Sequence, residues 1–73
     1  MPNSKIIMDN YFISIIIPCY NSDFILHKTL NSVLNQEYKH WECIVINDGS
    51  TDNSKKIIEE FCKLDDSFFL IDQ

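Results

Sequence analysis

The chain has one glycine and two prolines among its 73 residues. A single glycine cannot build G-x-G-x-x-G or G-x-x-x-x-G-K-[ST], which excludes the usual glycine fingerprints of dinucleotide-binding Rossmann sites and P-loops. So little glycine and proline also argues against a low-complexity segment. No run approaches the roughly 20 apolar residues of a membrane span. The Ile6-Ile7-Met8 patch is shorter than the apolar region of a secretory signal. Basic residues are sparse: six Lys and Arg face eleven Asp and Glu, for a formal net charge of −5. They form no cluster, so nucleic acid is not an expected partner. Three cysteines, Cys19, Cys43 and Cys62, are an odd number with no C-x-x-C spacing. That weighs against a disulfide framework and a structural zinc site and fits a reducing, cytoplasmic setting.

What is present is a folded composition, 45% hydrophobic and 23% charged. The length allows one small domain or a piece of one, and such a chain buries only about 60% of its unfolded surface. The most informative stretch is residues 42–54, ECIVINDGSTDNS. Cys43-Ile44-Val45-Ile46 is a continuous apolar run, the pattern of a strand covered on both faces. Turn and cap chemistry follows at once, with the lone glycine, Gly49, at the switch. A helical pattern then places Ile57, Ile58, Phe61 and Cys62 on one face.

Taken in order, residues 1–11 read as a flexible leader and residues 12–73 as the ordered part. Residues 12–18 form a β-branched, apolar first strand that Pro18 stops. A helix over 23–36 carries Leu26, Leu30, Val33 and Leu34 as its core stripe, with Ser22 or Asn21 as its cap. A strand over 42–47 follows, then a helix over 52–64 and a third strand over 68–71. Trp41 covers the base of the sheet. This β-α-β-α-β order predicts an α/β fold, a partial doubly wound, Rossmann-like parallel sheet. Its third strand is left as an open edge that invites self-association.

In such a sheet both strand-to-helix loops leave from the carboxyl edge, where ligands bind. Tyr20 and Asp48 therefore come together, an aromatic face for a planar base beside a carboxylate acceptor. The helix N-termini behind them offer amides to a pyrophosphate. Simpler roles compete for the same residues: Asp52 or Thr51 as a helix cap, Tyr20 as a packing residue. His27 and His40 lie apart, and Asp65-Asp66 falls on the opposite edge as a solvated turn. Asp72 ends the third strand on the ligand edge. No nucleophile–base or acid–base pair assembles from these residues.

The ISIIIPCYNS segment, the S-x-L-N-Q helix end (Ser32 to Gln36), the WECIVINDGSTDNS segment and the F-x-L-I-D-Q strand resemble, in order and spacing, the N-terminal nucleotide-binding part of family 2 glycosyltransferases of GT-A fold. The resemblance covers about residues 13–73 and implies nucleotide-sugar-dependent, inverting hexosyl transfer to an acceptor hydroxyl, with UDP as the expected nucleotide. It assigns base and ribose contacts to Pro18, Tyr20 and Asp48, with Asn21, Gly49, Ser50 and Asp52 shaping the pocket. Many members carry two acidic residues before the glycine; here the first is Asn47, a change expected to alter pocket charge. The family's D-x-D metal motif, acceptor region and catalytic base all lie beyond the third strand. The resemblance therefore implies a domain truncated there, with a divalent metal, Mg or Mn, in the full-length enzyme but no metal or catalytic residue in this chain. It also implies a place in the cytoplasm or at the cytoplasmic face of the membrane. Two other classes compete: a non-enzymatic nucleotide-binding or interaction remnant, and a receiver-like signalling domain, whose paired acidic residues after the first strand are absent.

Overall fold

A computed structural model describes residues 11–73. The expected leader, apart from Tyr11, lies outside the described residues. Five elements follow in order: β1 (Ile13–Cys19), α1 (Asp23–Leu34), β2 (Trp41–Asn47), α2 (Ser54–Leu64) and β3 (Phe68–Asp72). The three strands form one parallel sheet in the order β1-β2-β3. The α/β architecture matches the expected β-α-β-α-β order, because each helix is the crossover that parallel neighbours require.

β1 runs one residue past Pro18, which pairs in register with Ile46. An edge strand tolerates a proline whose missing N–H would have faced solvent. α1 ends at Leu34, two residues short of the expected end, and α2 starts at Ser54, two residues late. The delay arises because Asp52 serves as a hydrogen-bond acceptor before the helix and not as part of it.

Both helices pack on the same face of the sheet. The core joins Leu26 and Leu30 of α1 to Ile57, Ile58 and Phe61 of α2 over Trp41, Cys43, Val45 and Phe68. Phe68 sits between two rings, edge-on to Trp41 at 5.4 Å and to Phe61 at 5.4 Å. Such tilted pairs add about 0.5–1.5 kcal/mol each to the area they bury. Trp41 thus covers the amino end of the sheet, as expected. Cys43 is fully buried there, and burial, with the nearby Cys62, pushes its thiol up to about 11, so it behaves as a small hydrophobe.

The expectation that the apolar strands are covered on both faces is not met among the described residues. Burial alternates along β1, and Ile16, Phe69 and Ile71 stand about half exposed on the face away from the helices. Apolar continuity reports what a strand could bury; which faces are covered depends on where the crossovers pass. No described helix is long and apolar enough to cross a membrane.

Candidate nucleotide-binding edge

At the carboxyl edge the last register pairs are Cys19 with Asn47 and Asn47 with Asp72. The ladder continues one step further. Asp48 N–H donates to the Cys19 carbonyl at 2.9 Å, and Gln73 N–H donates to the Asn47 carbonyl at 2.9 Å. Tyr20, Asp48 and Gln73 are therefore neighbours, one position beyond the ends of adjacent strands. Parallel strands lie about 4.8 Å apart, so Tyr20 and Asp48 stand side by side at this edge. Tyr20 is 63% exposed, and Asp48 is exposed too. Neither is absorbed into the core. Pro18 ends the exposed face of β1 just before them.

Gly49 has φ +71, and a Cβ there would meet nothing within 4 Å. The glycine is needed for its left-handed backbone and not for space. Asn21 is also left-handed, with φ 45, a conformation asparagine accepts more readily than most residues.

Asn21, Ser50 and Asp52 have their polar groups turned toward the opposite loop. Three consecutive amides of the first loop donate into the second: Asn21 N–H to Ser50 Oγ at 3.0 Å, Ser22 N–H to Ser54 Oγ at 3.0 Å, and Asp23 N–H to Asp52 Oδ2 at 3.2 Å. Two amides return the arrangement. Thr51 N–H donates to Asn21 Oδ1 at 2.8 Å, and Asn53 N–H to Asp23 Oδ2 at 3.1 Å. Asp52 Oδ1 takes the Ser54 N–H at 2.9 Å. Desolvation pushes the Asp52 carboxyl up, but the hydrogen bonds from Ser54 and Asp23 together outweigh it and hold the group below its ordinary value.

These bonds change two expectations. The N-cap residues by position are Ser22 and Asn53, yet neither side chain caps its own helix. Asp52 caps α2 locally through Ser54 N–H, as expected, and with its other oxygen also serves the start of α1 across the gap, while Asp23 accepts the Asn53 N–H in return. The first-turn amides of Asp23 and Ser54 are consequently not free to receive a pyrophosphate, since the chain's own carboxylates take them. A diphosphate placed there would meet like charge.

Asn47 also departs from expectation. Its side chain is buried, at 2% exposure. Its Nδ2 donates to Asp72 Oδ1 at 3.0 Å, and its Oδ1 accepts from Ser50 Oγ. Lys55 Nζ holds the other Asp72 oxygen, Oδ2, at 2.9 Å. With both oxygens engaged, Asp72 is poorly suited to ligate a cation. No group of three His, Cys, Asp or Glu among the described residues could hold a metal ion. Asp65 accepts the Ser67 N–H at 2.8 Å in the turn before β3, on the far edge, as expected. His27 lies 3.8 Å from Glu60 on the helical layer, away from this edge.

Sequence reasoning missed the long-range partnerships of Asp23, Ser22, Ser54 and Lys55. Nothing in local spacing marks these partners, because they lie 17 to 32 positions away.

The sequence profile described as Glycosyl transferase family 2 matches residues 14–73. The glycosyltransferase GlyA of Streptococcus pneumoniae serotype 4 is 44% identical over 61 residues, covering 84% of this chain and 9% of that protein. The UDP-Glc:alpha-D-GlcNAc-diphosphoundecaprenol beta-1,3-glucosyltransferase WfgD of Escherichia coli is 43% identical over 54 residues, 74% of this chain and 21% of that protein. Among solved structures, a mannosyltransferase of Pyrobaculum calidifontis in complex with GDP-Man and Mn2+ superposes with a TM-score of 0.72 at 20% identity. It covers 89% of this chain and 20% of its own, and supports the fold. The chain spans less than a quarter of the length of each of these proteins. On the matched profile and these relatives, the chain belongs to the family 2 glycosyltransferases.

Proposed function

We propose that the chain supplies the nucleoside-binding part of a nucleotide-sugar-dependent glycosyltransferase, with Tyr20 and Asp48 as the principal contacts. The observation that carries this reading is their placement side by side, exposed, one register step past Cys19 and Asn47. The Tyr20 ring offers a stacking face to a base. The Asp48 carboxylate accepts an N–H from the base or an O–H from the ribose. Pro18 and Gly49 shape the approach, and Asn21, Ser50 and Asp52 fix the loops around it.

UDP is the proposed nucleotide. The name of the Escherichia coli relative supports it, whereas the archaeal neighbour was solved with a guanosine donor. In the whole enzyme an acceptor hydroxyl attacks the anomeric carbon, a carboxylate takes its proton, and the nucleoside diphosphate departs with inversion. A divalent ion, Mg or Mn, would neutralise the departing diphosphate. Because Asp72 is engaged by Asn47 and Lys55, residues outside this chain would hold it. By itself the chain transfers no sugar, since nucleoside binding shared by ground and transition states leaves the chemical step unaccelerated.

The cytoplasm, or the cytoplasmic face of the membrane, is the proposed location, supported by three free thiols. Self-association through the half-exposed sheet face and the open strand edges is part of the same proposal.

Isothermal titration with UDP and GDP tests the assignment. Binding of UDP that weakens in Asp48→Ala is the expected result. Equal binding by wild type and Asp48→Ala would sink the role given to Asp48, and preference for GDP would reassign the base.

A further inference from the structure

Two carboxylates do the same job in opposite directions across the gap between the loops. Asp52, from the loop after β2, accepts the first amide of α1 through Oδ2. Asp23, the first residue of α1, accepts the amide of Asn53, the residue that caps α2 by position, through Oδ2. Between them Asn21 donates its N–H to Ser50 and accepts the Thr51 N–H, while Ser22 N–H reaches the fully buried Ser54 hydroxyl. Every bond in this set crosses from one loop to the other. Local bonds exist too, from Ser54 N–H to Asp52 and from Ser50 to Asn47, but most acceptors that fix one loop are side chains of the other.

The consequence for Tyr20 and Asp48 is direct. Tyr20 immediately precedes Asn21, and Asp48 lies two residues before Ser50. Their backbone positions are held on one side by the sheet and on the other by this set of crossed bonds. A loop released at its tip would keep its strand end and lose the fixed separation between the stacking ring and the carboxylate.

We propose that Asp23 and Asp52 are reciprocal positioning residues that lock the two loops into one unit and thereby hold Tyr20 and Asp48 at the separation a nucleoside requires. This rests on the nucleotide-binding reading above, and it adds Asp23, a residue otherwise explained only as a favourable charge at a helix start. A local helix cap and a positioning residue make different predictions. A cap affects its own helix end alone, whereas here loss of Asp23 must loosen bonds that no Asp23 atom makes.

The test uses the full 73-residue chain with two readouts, amide hydrogen exchange and titration with UDP. Asp23→Ala is expected to speed exchange at Asn53 and also at Asn21 and Thr51, the indirect positions, by about tenfold through local opening. It is expected to weaken UDP binding by about tenfold, the scale of a lost helix-start bond. Asp23→Asn keeps a carbonyl oxygen in place and should restore most of both. Val33→Ala, a packing change on α1 remote from the loops, lowers the melting temperature without altering exchange at Asn21 and Thr51 or UDP affinity. The proposal is overturned if Asp23→Ala affects Asn53 alone, or if Val33→Ala reproduces its effects. Should the wild-type chain bind no UDP, the nucleotide reading falls while the exchange experiment still decides whether the lock exists.

Discussion

Asn47, at the end of the central strand, donates its side-chain N–H to Oδ1 of Asp72 at the end of the neighbouring strand, at 3.0 Å. Its own carbonyl oxygen accepts from Ser50, and Lys55 pairs with the second Asp72 oxygen. A continuous polar chain thus runs Asn21, Ser50, Asn47, Asp72, Lys55, across all three strand ends. An amide suits the central position because it both donates and accepts.

Replacing that amide with a carboxylate removes the donor and sets a buried acid against the partly exposed Asp72 carboxylate. Asn47→Asp is expected to lower stability by about 1–3 kcal/mol at neutral pH, the cost of an unmade buried hydrogen bond. The loss should shrink as pH falls, because protonating either acid restores a donor and removes the repulsion. Urea denaturation at neutral and mildly acidic pH measures both effects. A variant as stable as wild type at neutral pH would show that the amide is not required.

The wild-type chain should weaken in acid by the opposite route. The hydrogen bond from Lys55, then that from Asn47, hold the Asp72 carboxyl below its ordinary 3.8, and Asp52 is likewise lowered. Groups lowered in the folded state contribute stability fully above that value and lose it as pH falls through their folded values. The Lys55 amine is raised above 10.5 by its hydrogen bond to Asp72, so its contribution is present below that pH and lost as pH rises through the folded value. Melting temperature against pH should therefore fall at both extremes. Asp72→Asn should flatten both limbs and Asp52→Asn only the acid one; an unchanged acid limb in both variants would contradict the assignment.

Tyr20→Ala should separate binding from folding. The ring is 63% exposed, so its removal should leave the melting temperature within about 0.5 kcal/mol of wild type in equivalent stability. Nucleotide affinity should fall by about 1–3 kcal/mol if the ring stacks on the base. A large drop in melting temperature with unchanged affinity would instead make Tyr20 a packing residue.

The uncovered sheet face should make mass depend on concentration. Ile16, Phe69 and Ile71 share that face, each about half exposed. Light scattering after size exclusion should show association that declines on dilution and is reduced in Phe69→Lys, where a charge interrupts the patch. A monomeric mass at every concentration would rule the association out.

Periodicity and turn chemistry alone determined the element order, the parallel sheet and the core stripes of Leu26, Leu30, Ile57, Ile58 and Phe61, because each is written in residues close together in the chain. They also placed Tyr20 and Asp48 just past neighbouring strand ends, since both follow strands of one parallel sheet and share its carboxyl edge. The tertiary structure alone decided which sheet face is covered, because an apolar strand reads the same whether one face or two find partners. It alone decided that Asp23 and Asp52 cap each other's helices and that Asn47 turns inward to Asp72. Those hydrogen bonds join residues 25 to 30 positions apart. A local rule for capping or pocket charge sees only the near neighbours, whereas a polar group held at a strand end takes whichever partner the packed sheet and helices bring within reach.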